Sequence, residues 1–440
     1  MIPKAKGSAA GWWALALLPF LALTARHWRW HPDVLLGDHA QYVAHALALL
    51  DGRPYADIGY LYDPGVWGVG PPAYPPGFPL TLAPVIAAFG RDPAVFRWLN
   101  VVFVLLFAAV VSRAIPREVP VWQRALAVGL AAFGMESSGG LLVPLSDPGF
   151  CVLFWLFLAL VDRTTAWTPA RILLLSLVGG AAMAYRAPGV VLIPALALFG
   201  VTTWRQWRGR PWGPLVVWGA AGAGALALGL VHNPYRDLLG VTLTVWSQRW
   251  VLAWDALRFA CFEVLGYPFP GDLPNDVYHL VAMVVVLAGL ASLAWRWRRS
   301  FAGIALLGYG VMLWLSPVAN TRYYWPLYPV VGLAFVVGLE ASARAIRLPR
   351  PSVMAMTVGL GVLVGSLWQG WGQRPPHSLL GDVAGREMLA WVAAAGAQAP
   401  MRLAFQNPRV VTLETGVPAM GIADRTTDGH IALLVSQRIT

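Results

Sequence analysis

Apolar stretches close to 20 residues long recur along most of the chain, separated by short polar connections rich in arginine. A helix of about 20 apolar residues crosses a bilayer core, so each stretch predicts a membrane span. The pattern places spans at roughly 11–26, 95–113, 122–140, 147–162, 170–185, 187–203, 213–231, 277–295, 301–317, 323–341 and 352–370. That makes about eleven crossings. Gly and Pro inside them are tolerated where neighbouring helices cover the freed backbone groups, so the expectation is an all-α polytopic bundle and not a barrel.

Three polar stretches are longer: 27–94, 232–276 and the tail from 371. Within the first, Asp38 to Leu50 has helical spacing with Tyr42, Ala46 and Leu49 on one face, and Asp51-Gly52 is a stop signal. The segment "ADIGYLYDPGVWGVGPPAYPPGFP" is too broken by Gly and Pro for regular structure. The apolar piece 78–89 is short for a crossing and is expected at the interface or part way in. In the second stretch, "LLGVTLTVWSQRWVLAWDALRFACFEVLG" reads as an amphipathic surface segment bordering the lipid, and "GDLPND" as a turn. The tail reads as a helix, a strand near 401–405 and a second short helix. The division is therefore a membrane module over 1–370, with outer loops 27–94 and 232–276, and a small domain over 371–440.

Composition supports an integral membrane protein: 58% of the 440 residues are hydrophobic and 12% charged. Mean hydropathy is +0.60. The formal net charge of +11 does not point to nucleic acid, because the basic residues are not gathered on one polar domain. They fall on alternate connections: Lys4 and Lys6; Arg113, Arg117 and Arg124; Arg163 and Arg171; Arg205, Arg208 and Arg210; Arg296, Arg298 and Arg299; Arg344, Arg347 and Arg350. Basic connections are cytoplasmic, which puts the three long polar stretches on the other side. The first span is read as retained and not as a cleaved signal, since Trp28, Arg29 and Trp30 follow it where a small-residue cleavage site would stand. Only Lys4 and Lys6 among 32 basic residues are lysines, a bias of GC-rich bacterial genomes. Cys151 and Cys261 form neither an expected disulfide nor a metal cluster. No internal repeat marks the chain as a secondary transporter.

Charged residues at the outer span ends carry the candidate chemistry. Asp38 opens the helix of the first outer loop, where a carboxylate suits helix capping and suits a general base equally. Asp147 stands in "LSDPGF" at the start of a span; it is either a helix-start residue or an acid facing a wet cavity. Arg186 and Arg322 are isolated positive charges in short outer connections, suited to phosphate oxygens or to interfacial snorkelling. Tyr323 flanks Arg322.

Four segments add a resemblance. "GDHAQYVAHALALLDGRPY" with "AYPPGFPLTLAPVIAAFGRDPAVFRWLNVV", then "PLSDPGFCVLFWLFLAL", "YRAPGVVLIPALALF" and "TRYYWPLYPVVGLAF" resemble, in order, elements of the GT-C superfamily of membrane glycosyltransferases. The likeness is to protein O-mannosyltransferases and lipid A sugar transferases, over roughly residues 10–370. It implies a GT-C-like bundle with a large first periplasmic loop and a small C-terminal α/β periplasmic segment. It implies a bacterial inner-membrane, cell-envelope enzyme that moves a sugar from a polyprenyl-phosphate donor to a lipid, glycan or protein acceptor. The implied catalytic residues are Asp38 and Asp147. The implied substrate-binding residues are Arg186, Arg322, Tyr323, Tyr42 and Tyr74, the last standing where relatives often have His or Lys. The cofactor is left open: a divalent metal would use Asp38 and Asp147, although His39 replaces the Glu usual beside the first acid. Two other classes share the pattern, a transporter of a lipid-linked sugar and a noncatalytic assembly protein of the same fold.

Overall fold

The computed structural model describes residues 9–28, 37–62, 70–137, 140–164, 168–203, 249–315, 320–372, 383–405 and 408–421. In chain order the helices are α1 (Ala9–His27), α2 (Asp38–Leu50), α3 (Gly77–Phe89), α4 (Pro93–Ala114), α5 (Val121–Ser137), α6 (Ser146–Asp162), α7 (Pro169–Tyr185), α8 (Leu192–Thr203), α9 (Arg249–Leu265), α10 (Asp272–Trp297), α11 (Phe301–Leu315), α12 (Tyr328–Ala345), α13 (Pro351–Trp371), α14 (Val383–Gln398) and α15 (Pro408–Thr415). Short 3₁₀ turns at Ala187–Val191 and Thr321–Leu327 lead into α8 and α12. Every expected span among the described residues falls on a helical stretch; the one at 213–231 lies outside them, as does 232–248.

Among the described residues, five helical stretches are long and apolar enough to cross a membrane: Ala9–His27, Ala94–Ala114, Asp272–Trp297, Thr321–Ala345 and Pro351–Trp371. The outward faces carry large apolar side chains such as Leu106, Leu177, Leu280, Val284, Leu307 and Trp368. A water-facing surface would not leave so much contiguous apolar area open, whereas lipid accepts it. The chain is an integral membrane protein. At the centre lie α5 and α12, buried around nearly their whole circumference, as expected of helices apolar on all sides. Helix α10 packs closely on α12, and a Cβ at Gly289 would lie 1.9 Å from the Ala334 carbonyl oxygen, so the approach depends on glycine.

The first long loop folds against the bundle. Helix α2 has the bounds its spacing predicts, and Gly52 follows it with φ +67°. The expected single buried face is too narrow: residues 40–46 are all buried, because α3 covers one side of α2 and α15 of the tail another. The apolar piece 78–89 is helix α3, whose Phe78, Leu82 and Ile86 turn inward while Leu80 and Phe89 stay exposed. The Gly/Pro segment before it is mostly irregular among its described residues, but Tyr60–Leu61 forms a strand, β1. That strand pairs in parallel with β3 (Ala419–Gly421), which pairs in parallel with β2 (Leu403–Phe405), in the order β1-β3-β2. The tail is helix, strand, helix and strand, and its small sheet takes one strand from the first loop. "GDLPND" is the first turn of α10 and not a free turn, because the Asn275 amide donates to the Phe269 and Gly271 carbonyls and stitches the approach onto the helix. Cys151 and Cys261 are free and buried.

Candidate functional site

Each side chain of the site is placed by an element end. Gly37, at φ +57°, occupies the N-cap position of α2 and leaves Asp38 as the first helical residue. The Asp38 carboxylate makes no cap bond. Its Oδ1 accepts from the Tyr74 hydroxyl at 2.5 Å and from Arg409 Nη1 at 2.9 Å, and its Oδ2 accepts from Arg322 Nη2 at 3.0 Å. Tyr74 stands just after the 3₁₀ turn Pro71–Ala73, Arg322 in the turn before α12, and Arg409 in the first turn of α15.

Asp147, in the first turn of α6, makes a close ion pair with Arg186 Nη1 at the end of α7. Its other oxygen has no hydrogen-bond partner and lies 3.9 Å from Arg322 Nη1. Arg322 thus stands between the two carboxylates. Gly149, one half-turn beyond Asp147, lets the Tyr185 ring approach: a Cβ there would lie 2.5 Å from it. Ser146 Oγ shares a hydrogen bond with the Tyr42 hydroxyl at 2.8 Å and accepts from Arg186 at 3.5 Å. The Arg186 guanidinium lies over the Tyr323 ring, 4.7 Å from its centroid, an attraction of cation and π-face.

The seven residues singled out in the sequence, Asp38, Asp147, Arg186, Arg322, Tyr323, Tyr42 and Tyr74, therefore meet in one network. Sequence reasoning missed Arg409, Ser146 and Asn320. Asn320 Oδ1 accepts from the Arg322 backbone N–H at 3.1 Å and from its Nε at 3.4 Å. The only signal for Arg409 was a basic residue behind a proline at a helix start, "NPRVV", in a segment with no visible tie to Asp38.

The two ends of the network differ in wetness. The Asp147 side chain is 3% exposed and that of Arg186 10%, whereas Asp38 keeps 31%. Burial alone would raise the Asp38 carboxyl, but the Arg322 charge, the Tyr74 hydrogen bond and the Arg409 charge outweigh it. The group is held well below the usual carboxylate range and is ionised at any physiological pH. Burial and the neighbouring Asp38 charge push the Tyr74 hydroxyl up, so it remains a donor.

These residues do not fit the divalent metal that the resemblance left open. Both Asp38 oxygens are taken by charged or hydroxyl donors, Asp147 faces two guanidiniums, and no group of three or more His, Cys, Asp or Glu among the described residues could hold a metal ion. Three guanidiniums against two carboxylates form an excess of positive charge suited to an anion with several oxygens.

No family model matches the sequence, and no curated protein matches it. Solved structures do. An archaeal oligosaccharyltransferase from Archaeoglobus fulgidus, AglB, in complex with an inhibitory peptide and a dolichol-phosphate, aligns with a TM-score of 0.61 at 12% identity. The alignment covers 93% of this chain and 64% of that one, so the chain spans just under two thirds of the archaeal protein. The same oligosaccharyltransferase in complex with zinc and sulfate aligns with a TM-score of 0.57 at 14% identity, over 94% and 62% of the two chains. ArnT from Cupriavidus metallidurans bound to undecaprenyl phosphate aligns with a TM-score of 0.52 at 15% identity, over 99% of this chain and 90% of that one. Identities this low leave the arrangement of helices as what is shared, and by that arrangement the chain has the fold of the GT-C membrane glycosyltransferases.

Proposed function

We propose that the protein is a glycosyltransferase that moves a sugar from a polyprenyl-phosphate donor to an acceptor hydroxyl on the non-cytoplasmic face of a bacterial inner membrane. The observation that carries the reading is the Asp38–Arg322–Asp147–Arg186 network, gathered from four distant segments at one end of the bundle. Two structures of this fold hold lipid phosphates, a dolichol-phosphate and an undecaprenyl phosphate, which supports a lipid-phosphate donor here. The arginines on the alternate connections support this side of the membrane.

In this reading Arg322 binds the donor phosphate, and the dry Asp147–Arg186 pair fixes Arg322 from behind. The acceptor hydroxyl gives its proton to an Asp38 oxygen while its own oxygen attacks the anomeric carbon. The bond from that carbon to the phosphate oxygen breaks, and the electron pair leaves with the polyprenyl phosphate. Phosphate departs readily, so no strong general acid is required, whereas the acceptor needs the base. Tyr42 and Tyr74 present hydroxyls to the same space, Tyr74 as a donor to Asp38. No step here uses a metal, because the donor set does not accommodate one.

A transporter of a lipid-linked sugar is disfavoured by the placement of the charges, which gather at helix ends and not along a path through the bundle. The deciding experiment supplies purified protein with a panel of labelled polyprenyl-phosphate sugars and an envelope lipid extract as acceptor source. Release of free polyprenyl phosphate with label entering the extract is the expected result. No donor consumed, with lipid-linked sugar moving across proteoliposome membranes instead, would favour the transporter.

A further inference from the structure

Asp38 poses a problem as a base. A carboxylate gripped by two guanidiniums and a tyrosine hydroxyl is a poor proton acceptor, and the same guanidiniums are not open to a phosphate. The geometry resolves both difficulties at once. Each Asp38 oxygen is taken by a different arginine, Oδ1 by Arg409 and Oδ2 by Arg322. Two guanidiniums bridged by one two-oxygen anion form the arrangement that also grips two oxygens of a phosphate.

Neither arginine depends on Asp38 for its position. The Arg409 guanidinium lies over the rings of Tyr60 and Tyr74, 5.0 and 5.5 Å from their centroids, and Tyr60 belongs to the strand that ties the first loop to the tail. Arg322 is held through its backbone N–H and Nε by Asn320, and its other terminal nitrogen faces the buried Asp147. If Asp38 swung away, both forks would stay where they are. Asp38 is also the more exposed acid of the site, at 31% against 3% for Asp147, so it is the one that can leave.

We infer that Arg409 of the tail and Arg322 form a phosphate clamp for the lipid-linked donor, and that Asp38 is its resident counter-ion, exchanged for the donor phosphate on binding. The inference rests on the transferase reading above. Exchange releases Asp38 from its cationic partners in the step that brings the phosphate in. Its carboxylate then regains ordinary basicity beside the leaving group, and an empty site keeps its base masked. The tail becomes part of the donor site through a single side chain, Arg409.

The test uses full-length protein in detergent with geranylgeranyl monophosphate as the probe. Arg409→Ala and Arg322→Ala should each weaken binding about 10-fold or more, the loss expected for a charge-assisted contact. Asp38→Asn should tighten it by about 10-fold, because the competing anion is gone while a neutral side chain of the same size remains. Asp38→Ser gives a second neutral variant, and Arg409→Gln a second tail variant, should either first choice fail to elute as a monodisperse, cooperatively unfolding species. Unchanged or weaker binding in both Asp38 variants overturns the exchange, and unchanged binding in both Arg409 variants removes the tail from the clamp. Geranylgeraniol, which lacks the phosphate, should bind all variants alike; the same pattern with this alcohol would mean packing and not charge, and would also overturn the inference. Equal variant effects with inorganic phosphate at the same concentration would assign the clamp to free phosphate and overturn the lipid assignment. A wild type that turns over sugar donors while these affinities stay flat sinks the clamp alone. A wild type that shows the pattern but transfers no sugar sinks the transferase reading alone.

Discussion

The two ends of the helix bundle use charge in opposite ways. At the end that carries the first long loop, Asp38 pairs with Arg322 and Arg409, hundreds of positions away in sequence, and Asp147 pairs with Arg186. At the far end, Glu340 bonds Arg344 one helical turn on, Gln123 at 2.5 Å and Ser352 at 2.5 Å. There Asp162 accepts from the backbone N–H groups of Phe301 and Ala302 at 2.7 and 3.1 Å and closes the start of α11, while Arg171 reaches the Leu160 carbonyl at 3.0 Å. Asp162 and Arg171 satisfy helix-end backbone groups, as a fold requires, and Glu340 ties three helix-end side chains together. Site-end charges are met by one another and by neighbouring hydroxyl, amide and ring groups from segments far apart in sequence, and assembling them costs desolvation that apolar residues would not incur. That is the pattern of a site kept for a ligand.

The contrast between the ends depends first on which side of the membrane each end faces. A reporter active only outside the cytoplasm, fused after residue 370, should be fully active, and the same reporter fused near Arg298 should be silent. The effect is all or none. The reverse pattern would move the site to the cytoplasmic face and undo the proposed donor access.

The next largest effect separates chemistry from architecture. Asp38→Asn should leave the protein folded and in the membrane at normal amount, since Asp38 makes no cap bond, while transfer falls ~10²-fold or more. Asp162→Ala should do the opposite: about 1 kcal/mol of stability lost with the two orphaned N–H groups, and turnover per folded molecule within about twofold of wild type. Near-normal transfer in Asp38→Asn would end its assignment as the base.

A smaller effect tests the same contrast with one arginine from each end. Arg322→Ala should weaken lipid-phosphate binding about 10-fold, as expected for one charge-assisted contact, whereas Arg298→Ala should change nothing. Among the described residues, Arg298 donates to the Trp295 carbonyl of the adjoining helix end and stacks on that ring. Equal effects from both would reduce Arg322 to an interfacial anchor.

What could be foreseen divides along the same line between local and distant contacts. Helix α2 was legible to the residue because its spacing and its Asp51-Gly52 stop are local signals. Asp147, Arg186, Arg322 and Tyr323 were legible as polar residues at span ends and Asp38 as a helix start, whereas Tyr42 and Tyr74 entered through the resemblance; the fold brings the seven side chains together. Arg409 was not, because its meaning depends on a two-residue strand, Tyr60–Leu61, that docks the tail on the first loop, and strands that short leave no periodicity to read. "GDLPND" misled for a related reason: turn-type residues also start helices, and the Asn275 side chain decides which. That both acids are met by guanidiniums was not legible either, because Arg186, Arg322 and Arg409 come from segments far from them in sequence.

The smallest expected effect concerns His45, which lies beneath the site on α2 with no exposed surface. Its Nδ1 bonds the Tyr55 carbonyl at 2.7 Å and must therefore carry the proton, which leaves Nε2 as acceptor toward the Gln41 amide at 3.4 Å. The ring stacks on Tyr55 at 4.1 Å and also neighbours Tyr74. Burial, together with the nearby Arg409 charge, pushes the imidazole down to about 4. An unfolded chain has an ordinary histidine near 6.5 and takes up the proton first as the pH falls. The stability that the neutral ring contributes is therefore complete above that value and drains away between it and about 4. Between pH 7.5 and 6 the loss should be about 1 kcal/mol, a shift of about one degree in the unfolding midpoint of a chain this long. His45→Gln, neutral throughout, should be less stable at pH 7.5 but show a flatter profile over that interval. A wild type and a variant with parallel pH profiles would mean that His45 is not held neutral, and that the loop beneath Asp38 tolerates a second positive charge beside Arg409.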